Sequence, residues 1–291
     1  MHPAPSLIAF TTLSGLGFGL LLWLGIDPTP PTGWVAFTFY AIAFALAGIG
    51  LLASTLHLGH PERALKAFTQ WRSSWLSREA WLAVAALAIN GLYAALLVFA
   101  GTQVTFLGWL SALAAAATVL ATSMIYAQLR TVPRWHHWST PALFAAYALC
   151  GGALLSGNVQ IAALLLIALG GLQVWAWVQG DARPAASGTT MATATGLGGI
   201  GTVRSFEPPH TGSNYLLHEM VHVVGRKHAI KLRTIAYVLL SLLPWAMLVL
   251  MPFSHALAGL AVLSHVVGTL VSRWLFFAEA EHVVGLYYGK R

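Results

Sequence analysis

The chain has 291 residues, of which 58% are hydrophobic and only 8% are charged, and it carries a formal net charge of +7. Soluble domains carry about 25% charged residues, so this composition excludes an ordinary soluble globular protein. All but one of the 15 Lys and Arg residues lie on one side of the predicted membrane spans. The basic charge is therefore a signal of membrane orientation and does not indicate nucleic-acid binding.

Eight apolar segments follow one another along the sequence and predict transmembrane helices. Seven of them are long enough for a tilted helix to cross about 30 Å of hydrocarbon, and the fifth is shorter. Only the last contains a charged residue, Arg273. We therefore expect an all-α polytopic membrane protein, a bundle of eight transmembrane helices forming a single domain over residues 1–291. The predicted spans are residues 5–26, 34–56, 80–100, 104–129, 140–155, 159–178, 234–250 and 255–277.

The distribution of basic residues predicts the orientation of this bundle. The connections 27–33, 101–103, 156–158 and 251–254 contain no Lys or Arg, whereas the loops at the opposite ends of the spans contain all the basic loop residues. By the positive-inside rule, we expect both termini and all long loops in the cytoplasm. The expected location, which also rests on the family resemblance described below, is a bacterial inner membrane. The N-terminus lacks the basic region of a signal peptide and is expected to form the first helix.

A polar insert at residues 179–231 separates the sixth span from the seventh. Residues 181–213 are rich in Gly, Ala, Thr and Ser and lack apolar periodicity, which predicts a mobile loop. Residues 214–230 carry apolar side chains at helical spacing before a basic end. This second pattern predicts an amphipathic helix on the cytoplasmic surface.

Cysteine usage limits the redox chemistry that this protein can perform alone. The single cysteine, Cys150, lies inside the fifth span, so the usual cysteine ligands of an iron–sulfur cluster are not available. Any redox reaction therefore requires a cofactor or cluster from a partner.

Polar residues are densest in the segment that joins the second and third spans. The second helix is expected to end near Gly59 and Pro61, and Ser77 is a plausible N-cap for the third. His57 and Glu79 then lie at the cytoplasmic ends of consecutive helices, where a His and a carboxylate could exchange protons with the two oxygens of a quinone. Alternatively, His57 satisfies a helix-end carbonyl and Glu79 favours a helix N-terminus.

Three more residues are candidates for the same site. Arg273 lies within a span, and an ionisable residue at such depth is a functional candidate. It could also snorkel to the surface or pair with Glu79. Tyr126 and Trp135 could supply aromatic walls, although aromatic residues are common at membrane interfaces.

A second motif predicts different chemistry. His218, Glu219 and His222 match the zinc-protease pattern HExxH, in which two His one helical turn apart bind zinc and the Glu activates water. A third ligand would have to come from the end of the last span, at Glu279, Glu281 or His282. A haem site is not expected, because the candidate ligands His255 and His265 lie on one helix and bis-His ligation needs facing helices.

The sequence also resembles a known family, the DmsC-type membrane anchor subunits of complex iron–sulfur molybdoenzymes. The similarity runs through all eight spans, including Arg273 with Phe276 and Phe277, and is most specific between Ser54 and Glu79. The residues that carry it are Ser54, Leu56, His57, Leu58, Gly59, Pro61, Arg63, Ala64, Leu76, Ser77, Glu79, Thr131, Val132, Pro133, Trp135, Thr140, Pro141 and Phe144.

The resemblance implies an eight-helix anchor that binds ubiquinone or menaquinone and holds no haem or metal. It also implies two partners, an iron–sulfur subunit and a molybdopterin catalytic subunit. In the family, the residues matching His57 and Glu79 are associated with quinol binding. We expect the quinone-binding residues His57, Glu79, Arg273, Arg63, Tyr126 and Trp135, and the partner-docking residues Arg63, Lys66, Arg72, Arg78, Arg226 and Lys227.

The predicted orientation distinguishes two branches of this family. In the dimethyl sulfoxide reductase type, the face bearing the His lies outside the cytoplasm, whereas here that face carries the loop charge. The sequence therefore resembles the sulfite dehydrogenase branch, the SoeC-like anchors, which implies sulfite oxidation in the cytoplasm with quinone reduction. The alternatives are a quinol-oxidising anchor of a dimethyl sulfoxide reductase and a zinc membrane protease.

Overall fold

A computed structural model describes residues 1–207, 209–212, 214–221, 228–252 and 254–289. Over these residues the protein forms helices and turns and no β-strand, which confirms the all-α prediction. The helices are α1 (Pro5–Ile26), α2 (Gly33–Thr55), α3 (Trp75–Ala95), α4 (Thr105–Ala127), α5 (Ser139–Leu155), α6 (Val159–Ala186), α7 (Met191–Thr195), α8 (Ala229–Tyr237), α9 (Leu243–Val249) and α10 (His255–Ala278).

Short irregular turns extend or join these helices. A π-helical turn, Leu96–Ala100, prolongs α3, and another, Val238–Leu242, joins α8 to α9. Seven helical segments in the described residues are long and apolar enough to span a membrane, and each overlaps one predicted span. The remaining apolar helix, α5, has 17 residues. At about 1.5 Å per residue, α5 is shorter than the hydrocarbon thickness.

Helix α1 lies at the centre of the bundle, where it contacts α2, α4, α5 and α10. Small residues permit this close packing. A methyl group on Gly19 would overlap the backbone of Ala148 in α5, and one on Gly17 would overlap the backbone of Ala47 in α2. Apolar contact with lipid and with protein is equally favourable, so membrane helices associate through close packing of this kind.

Ion pairs tie together the ends of three helices on the side that holds the charged loops. Arg233 of α8 binds Asp181 of α6 at 2.6 and 2.7 Å and binds Glu279, which directly follows α10, at 2.7 Å. Arg134, in the loop before α5, binds the same Asp181 at 2.6 Å and lies 3.8 Å from Glu279. We call these four residues the arginine–carboxylate network.

The polar insert differs from the sequence-based prediction. Helix α6 continues to Ala186, so the segment predicted as a loop at 181–213 begins inside a helix. The helix continues because the arginine–carboxylate network holds Asp181 in helical register. α7 then forms behind a capping box of Thr190 and Thr193. Residues 214–230 do not form one continuous helix: a π-helical turn, Leu216–Met220, ends at Val221, and residues 222–227 lie outside the described part of the chain. The mobility of the loop stays a prediction.

The packing of α1 against α5 can be tested with two alanine substitutions. Gly152→Ala would drive a methyl group into the backbone of Gly19, whereas Gly15→Ala would meet open space. Overpacking costs about 1–3 kcal/mol, so we expect a lower melting temperature for purified Gly152→Ala in detergent. Gly15→Ala is the matched control and should equal or slightly exceed the wild type. Equal melting temperatures for the two variants would contradict the close contact.

Candidate functional site

An apolar cleft of about 380 Å³ opens between α1, α2, α3 and α4 and the 3₁₀ segment Pro61–Phe68. Its volume lies within the range of small-molecule sites. Leu and Ala side chains form most of its walls, and the ionisable side chains that line it are His57, Glu79 and Tyr126. The structure therefore brings together the His and the carboxylate that the sequence predicted as partners.

Glu79 is the buried acid of this cleft. It lies in the second turn of α3, which begins behind Ser74 and not behind the predicted N-cap Ser77. Only 4% of its surface is exposed, and its carboxylate accepts a hydrogen bond of 2.5 Å from Thr122 of α4. Among the described residues, no basic side chain forms an ion pair with it. A carboxyl group in such surroundings can hold or release a proton without competition from a neighbouring cation.

His57 lies at the mouth of the cleft, just beyond the C-terminal end of α2. The residue is exposed, and its backbone N–H donates to the carbonyl of Ser54 at 3.2 Å. The imidazole has no hydrogen-bond partner among the described residues, so the helix-end carbonyl of Ser54 is satisfied by the backbone of His57 and not by its ring. Its exposure lets the ring exchange protons with water while it borders the apolar interior.

Tyr126 forms the boundary between the cleft and an aromatic cluster behind it. Its ring packs at 5.3–5.6 Å against Trp135, Phe144, Phe276 and Phe277. Trp135 stacks on Phe276 and donates a hydrogen bond of 2.9 Å to the carbonyl of Phe276, so it belongs to the cluster and does not line the cleft. The sequence could not separate these two roles, because both residues lie near the same end of α4.

Arg273 lies on the far side of the aromatic cluster and does not line the cleft, so its role in quinone binding stays a prediction. Its guanidinium is 3.8 Å from the ring centroid of Phe144 and 4.5 Å from that of Tyr147. It lines a separate, smaller cavity with Arg134 and Arg183. It forms no ion pair with Glu79 within the described part of the chain, so the alternative of a structural Glu79–Arg273 pair is also not observed.

Arg63 is the third of the predicted quinone-binding residues that does not line the cleft. It lines a separate groove with His60 and Lys66 beside the Pro61–Phe68 segment. Its Nε lies 3.8 Å from the exposed carboxylate of Glu62. This position agrees with its other predicted role, on a docking surface in contact with water.

The other docking residues divide into three groups. Lys66 and Arg72 are exposed, as a docking role requires. Arg78 donates to the carbonyls of Trp71 and Arg72 at 3.0 and 2.7 Å, so much of its hydrogen-bonding capacity stabilises the loop. Arg226 and Lys227 lie outside the described residues.

The zinc-protease hypothesis finds no structural support in the described part of the chain. His218 and Glu219 lie on the short turn Leu216–Met220, with 3.3 Å between the imidazole and the carboxylate, and His222 lies outside the described residues. Glu279, a candidate third ligand, is bound by Arg233. No group of three or more His, Cys, Asp or Glu residues that could hold a metal was found among the described residues.

The two histidines considered as haem ligands lie on one helix, as the sequence indicated. His265 is buried in α10, where its Nδ1 contacts the carbonyl of Leu240 at 2.8 Å. His255 begins the same helix and lies almost three turns away.

Sequence reasoning missed Thr122 and the residues of the arginine–carboxylate network. Thr122 appears as one small polar residue in an apolar span, and only the packing of α3 on α4 brings it to Glu79. Asp181 and Glu279 are two of only 8 acidic residues in the protein, and this rarity was the available signal.

Comparison with known proteins identifies the class to which this bundle belongs. Residues 1–289 match the family described as DMSO reductase anchor subunit (DmsC), and the protein belongs to this family. It is 32% identical to the C subunit of sulfite dehydrogenase from Allochromatium vinosum, with 99% of both sequences covered.

Two Escherichia coli proteins are more distant relatives. The YnfH protein of anaerobic dimethyl sulfoxide reductase is 30% identical over 54% of this sequence and 57% of its own length. The C component of anaerobic dimethyl sulfoxide reductase is 31% identical over 46% of this sequence and 45% of its own. No solved structure matches the protein.

The metal content of the purified protein tests the zinc-protease hypothesis. We expect far less than one zinc per molecule by mass spectrometry after purification without chelators, because Glu279 is committed to Arg233. Glu219→Gln should leave the metal content and any background peptide cleavage unchanged. Stoichiometric zinc that disappears in His218→Ala would instead support the protease.

Proposed function

We propose that this protein is the membrane anchor and quinone-reactive subunit of a molybdopterin and iron–sulfur oxidoreductase. The observation that carries this proposal is the apolar cleft that His57 and Glu79 line together. Membership of the anchor family and the full-length similarity to the C subunit of a sulfite dehydrogenase support it. The partners would be an iron–sulfur subunit and a molybdopterin catalytic subunit that oxidises sulfite.

In its membrane the bundle would cross eight times, with both termini in the cytoplasm of a bacterial cell. α5 would be the eighth span despite its 17 residues, since a short helix is accommodated by local thinning of the bilayer. Arg134 and Arg183 lie at the ends of α5 and α6 that face the charged loops, as the positive-inside rule requires.

The cleft has the chemical groups that quinone reduction requires. Quinone becomes quinol by gaining two electrons, which the iron–sulfur subunit would supply, and two protons. His57 would donate one proton to the nearer oxygen and recover it from water at the mouth of the cleft. Glu79 would deliver the other, with Thr122 orienting its carboxylate. The apolar walls would hold the ring and exclude water.

The iron–sulfur subunit would dock on the charged side of the bundle. Arg63, Lys66 and Arg72 are exposed on the loop between α2 and α3, close to the mouth of the cleft. A basic surface there would attract an acidic partner and hold a cluster near the quinone. Arg226 and Lys227 would extend the same surface.

A second candidate is a quinol-oxidising anchor of a dimethyl sulfoxide reductase, which the similarity to the two Escherichia coli proteins favours. The same residues would then accept protons from quinol. Sulfite-dependent quinone reduction by the purified complex distinguishes the two, because a dimethyl sulfoxide reductase would lack this activity.

Substitutions at the cleft test the quinone site. We expect His57→Ala and Glu79→Gln to lower quinone-linked turnover on the order of 100-fold, because each removes a proton donor, while the complex still assembles. Turnover with an artificial acceptor that takes electrons directly from the partner subunits should stay unchanged.

His60→Ala and Glu62→Gln are the matched controls. These residues lie on the loop that follows His57 but outside the cleft, and they pair with each other at 2.9 Å. Both variants should retain wild-type turnover. Full activity in Glu79→Gln would remove the carboxylate from the mechanism.

Cysteine labelling tests the orientation. Cys150 is buried, so the wild-type protein should react poorly with a membrane-impermeant maleimide. Thr102→Cys, between α3 and α4, should be labelled in intact spheroplasts, and Ser205→Cys only after the membrane is broken. The reverse pattern would invert the proposed topology.

A further inference from the structure

The cavity beside Arg273 has no role in the proposed quinone chemistry. It measures about 40 Å³, space for roughly three water molecules, and is too small for a quinone ring. Arg134, Arg183 and Arg273 all line it, together with Ser139, Thr140 and one acidic residue, Glu279.

Arg273 is a buried cation that has no counter-ion among the described residues. Only 3% of its surface is exposed, and it forms no hydrogen bond or ion pair within the described part of the chain. Its Nε is fully enclosed without a partner. The faces of Phe144 and Tyr147 stabilise the positive charge but offer no strong acceptor in the plane of the guanidinium.

The surrounding charges leave this cavity electropositive. Within the described part of the chain, three arginines and one carboxylate, that of Glu279, line the cavity, and Arg233 and Asp181 of the arginine–carboxylate network lie behind this wall. Both carboxylates are already bound by Arg233, and Asp181 also by Arg134.

The loop before α5, which borders the cavity, also lies in a positively charged environment. Burial and the nearby Arg183 lower the pKa of His137, whose Nδ1 lies 2.8 Å from Nη2 of Arg183. The cavity also lies at the N-terminal end of α5, where the helix dipole favours an anion.

We propose that this cavity binds a tetrahedral oxyanion, a phosphate or sulfate group, against Arg273, Arg134 and Arg183. Arginine binds such oxyanions through paired N–H donors, and the hydroxyl groups of the wall can complete the site.

Two sources could supply this group. One is a free inorganic anion. The other is the headgroup of an anionic phospholipid, because the exposed rings of Trp138 and Trp175 pack at 5.0 Å beside His137, as aromatic residues do at a membrane interface.

Thermal unfolding of the purified complex tests the site. Sodium sulfate is titrated against sodium chloride at equal ionic strength, and phosphatidylglycerol against phosphatidylcholine in mixed micelles. We expect sulfate or phosphatidylglycerol to raise the melting temperature of the anchor in a saturable manner. Arg273→Gln should weaken the apparent affinity at least about tenfold, which is the loss expected for one charge-assisted contact.

Two further variants make the test decisive. Arg183→Gln alters the more exposed wall of the cavity. If Arg273→Gln does not assemble, the anion affinity of Arg183→Gln tests whether the cavity is the binding site. Arg204→Gln removes an exposed arginine far along the insert and should bind like the wild type.

The outcomes separate the two sources. Stabilisation by sulfate that the cavity variants lose supports a free anion, and stabilisation by phosphatidylglycerol alone with the same loss supports a lipid phosphate. The proposal would be overturned if neither sulfate nor phosphatidylglycerol stabilised the anchor in a saturable manner. It would also be overturned if Arg204→Gln lost as much of this stabilisation as the cavity variants do, or if the cavity variants kept it. The quinone assay of His57 and Glu79 variants is independent of this result.

Discussion

Charged side chains inside an apolar helix bundle need partners, and this constraint shapes the whole charged end of the molecule. Glu79 is satisfied by one hydroxyl, that of Thr122. Arg273 rests on aromatic rings. Arg233 binds two carboxylates from two other helices. Each of these contacts joins elements that are distant in sequence, so these ionisable residues also hold the helices in register.

The aromatic cluster separates the carboxylate of Glu79 from the guanidinium of Arg273. Tyr126 lines the cleft on one side of the cluster, and the ring of Phe144 packs against the guanidinium of Arg273 on the other side. A carboxylate and a guanidinium in direct contact would neutralise each other and hold Glu79 ionised. Separated by the cluster, Glu79 remains free to exchange a proton, and Arg273 remains free to attract an anion.

Much of the architecture could be predicted from the sequence, since hydrophobic length alone locates a helix in a membrane protein. The limits of α1 agree with the predicted span at both ends, and α10 is only one residue longer. The polar insert was less predictable. Helix α6 extends past its apolar residues because Asp181 forms ion pairs with arginines on other elements. The local sequence around Asp181 does not indicate these partners.

The candidate site also contains features that the sequence predicts and features that it does not. His57 and Glu79 could be paired from sequence because each lies at the same end of neighbouring helices in a bundle whose helices alternate in direction. Arg273 also lies at this end, but depth in the membrane does not specify which side of the bundle a residue occupies.

Sequence by itself therefore determined where the apolar helices lie along the polypeptide, which loops hold the charge and which residues are ionisable. Only the tertiary structure decided which of these residues share a cavity. The physical reason is that hydrophobicity is a property of each segment, whereas helix neighbours depend on close packing between small residues such as Gly19 and Gly152.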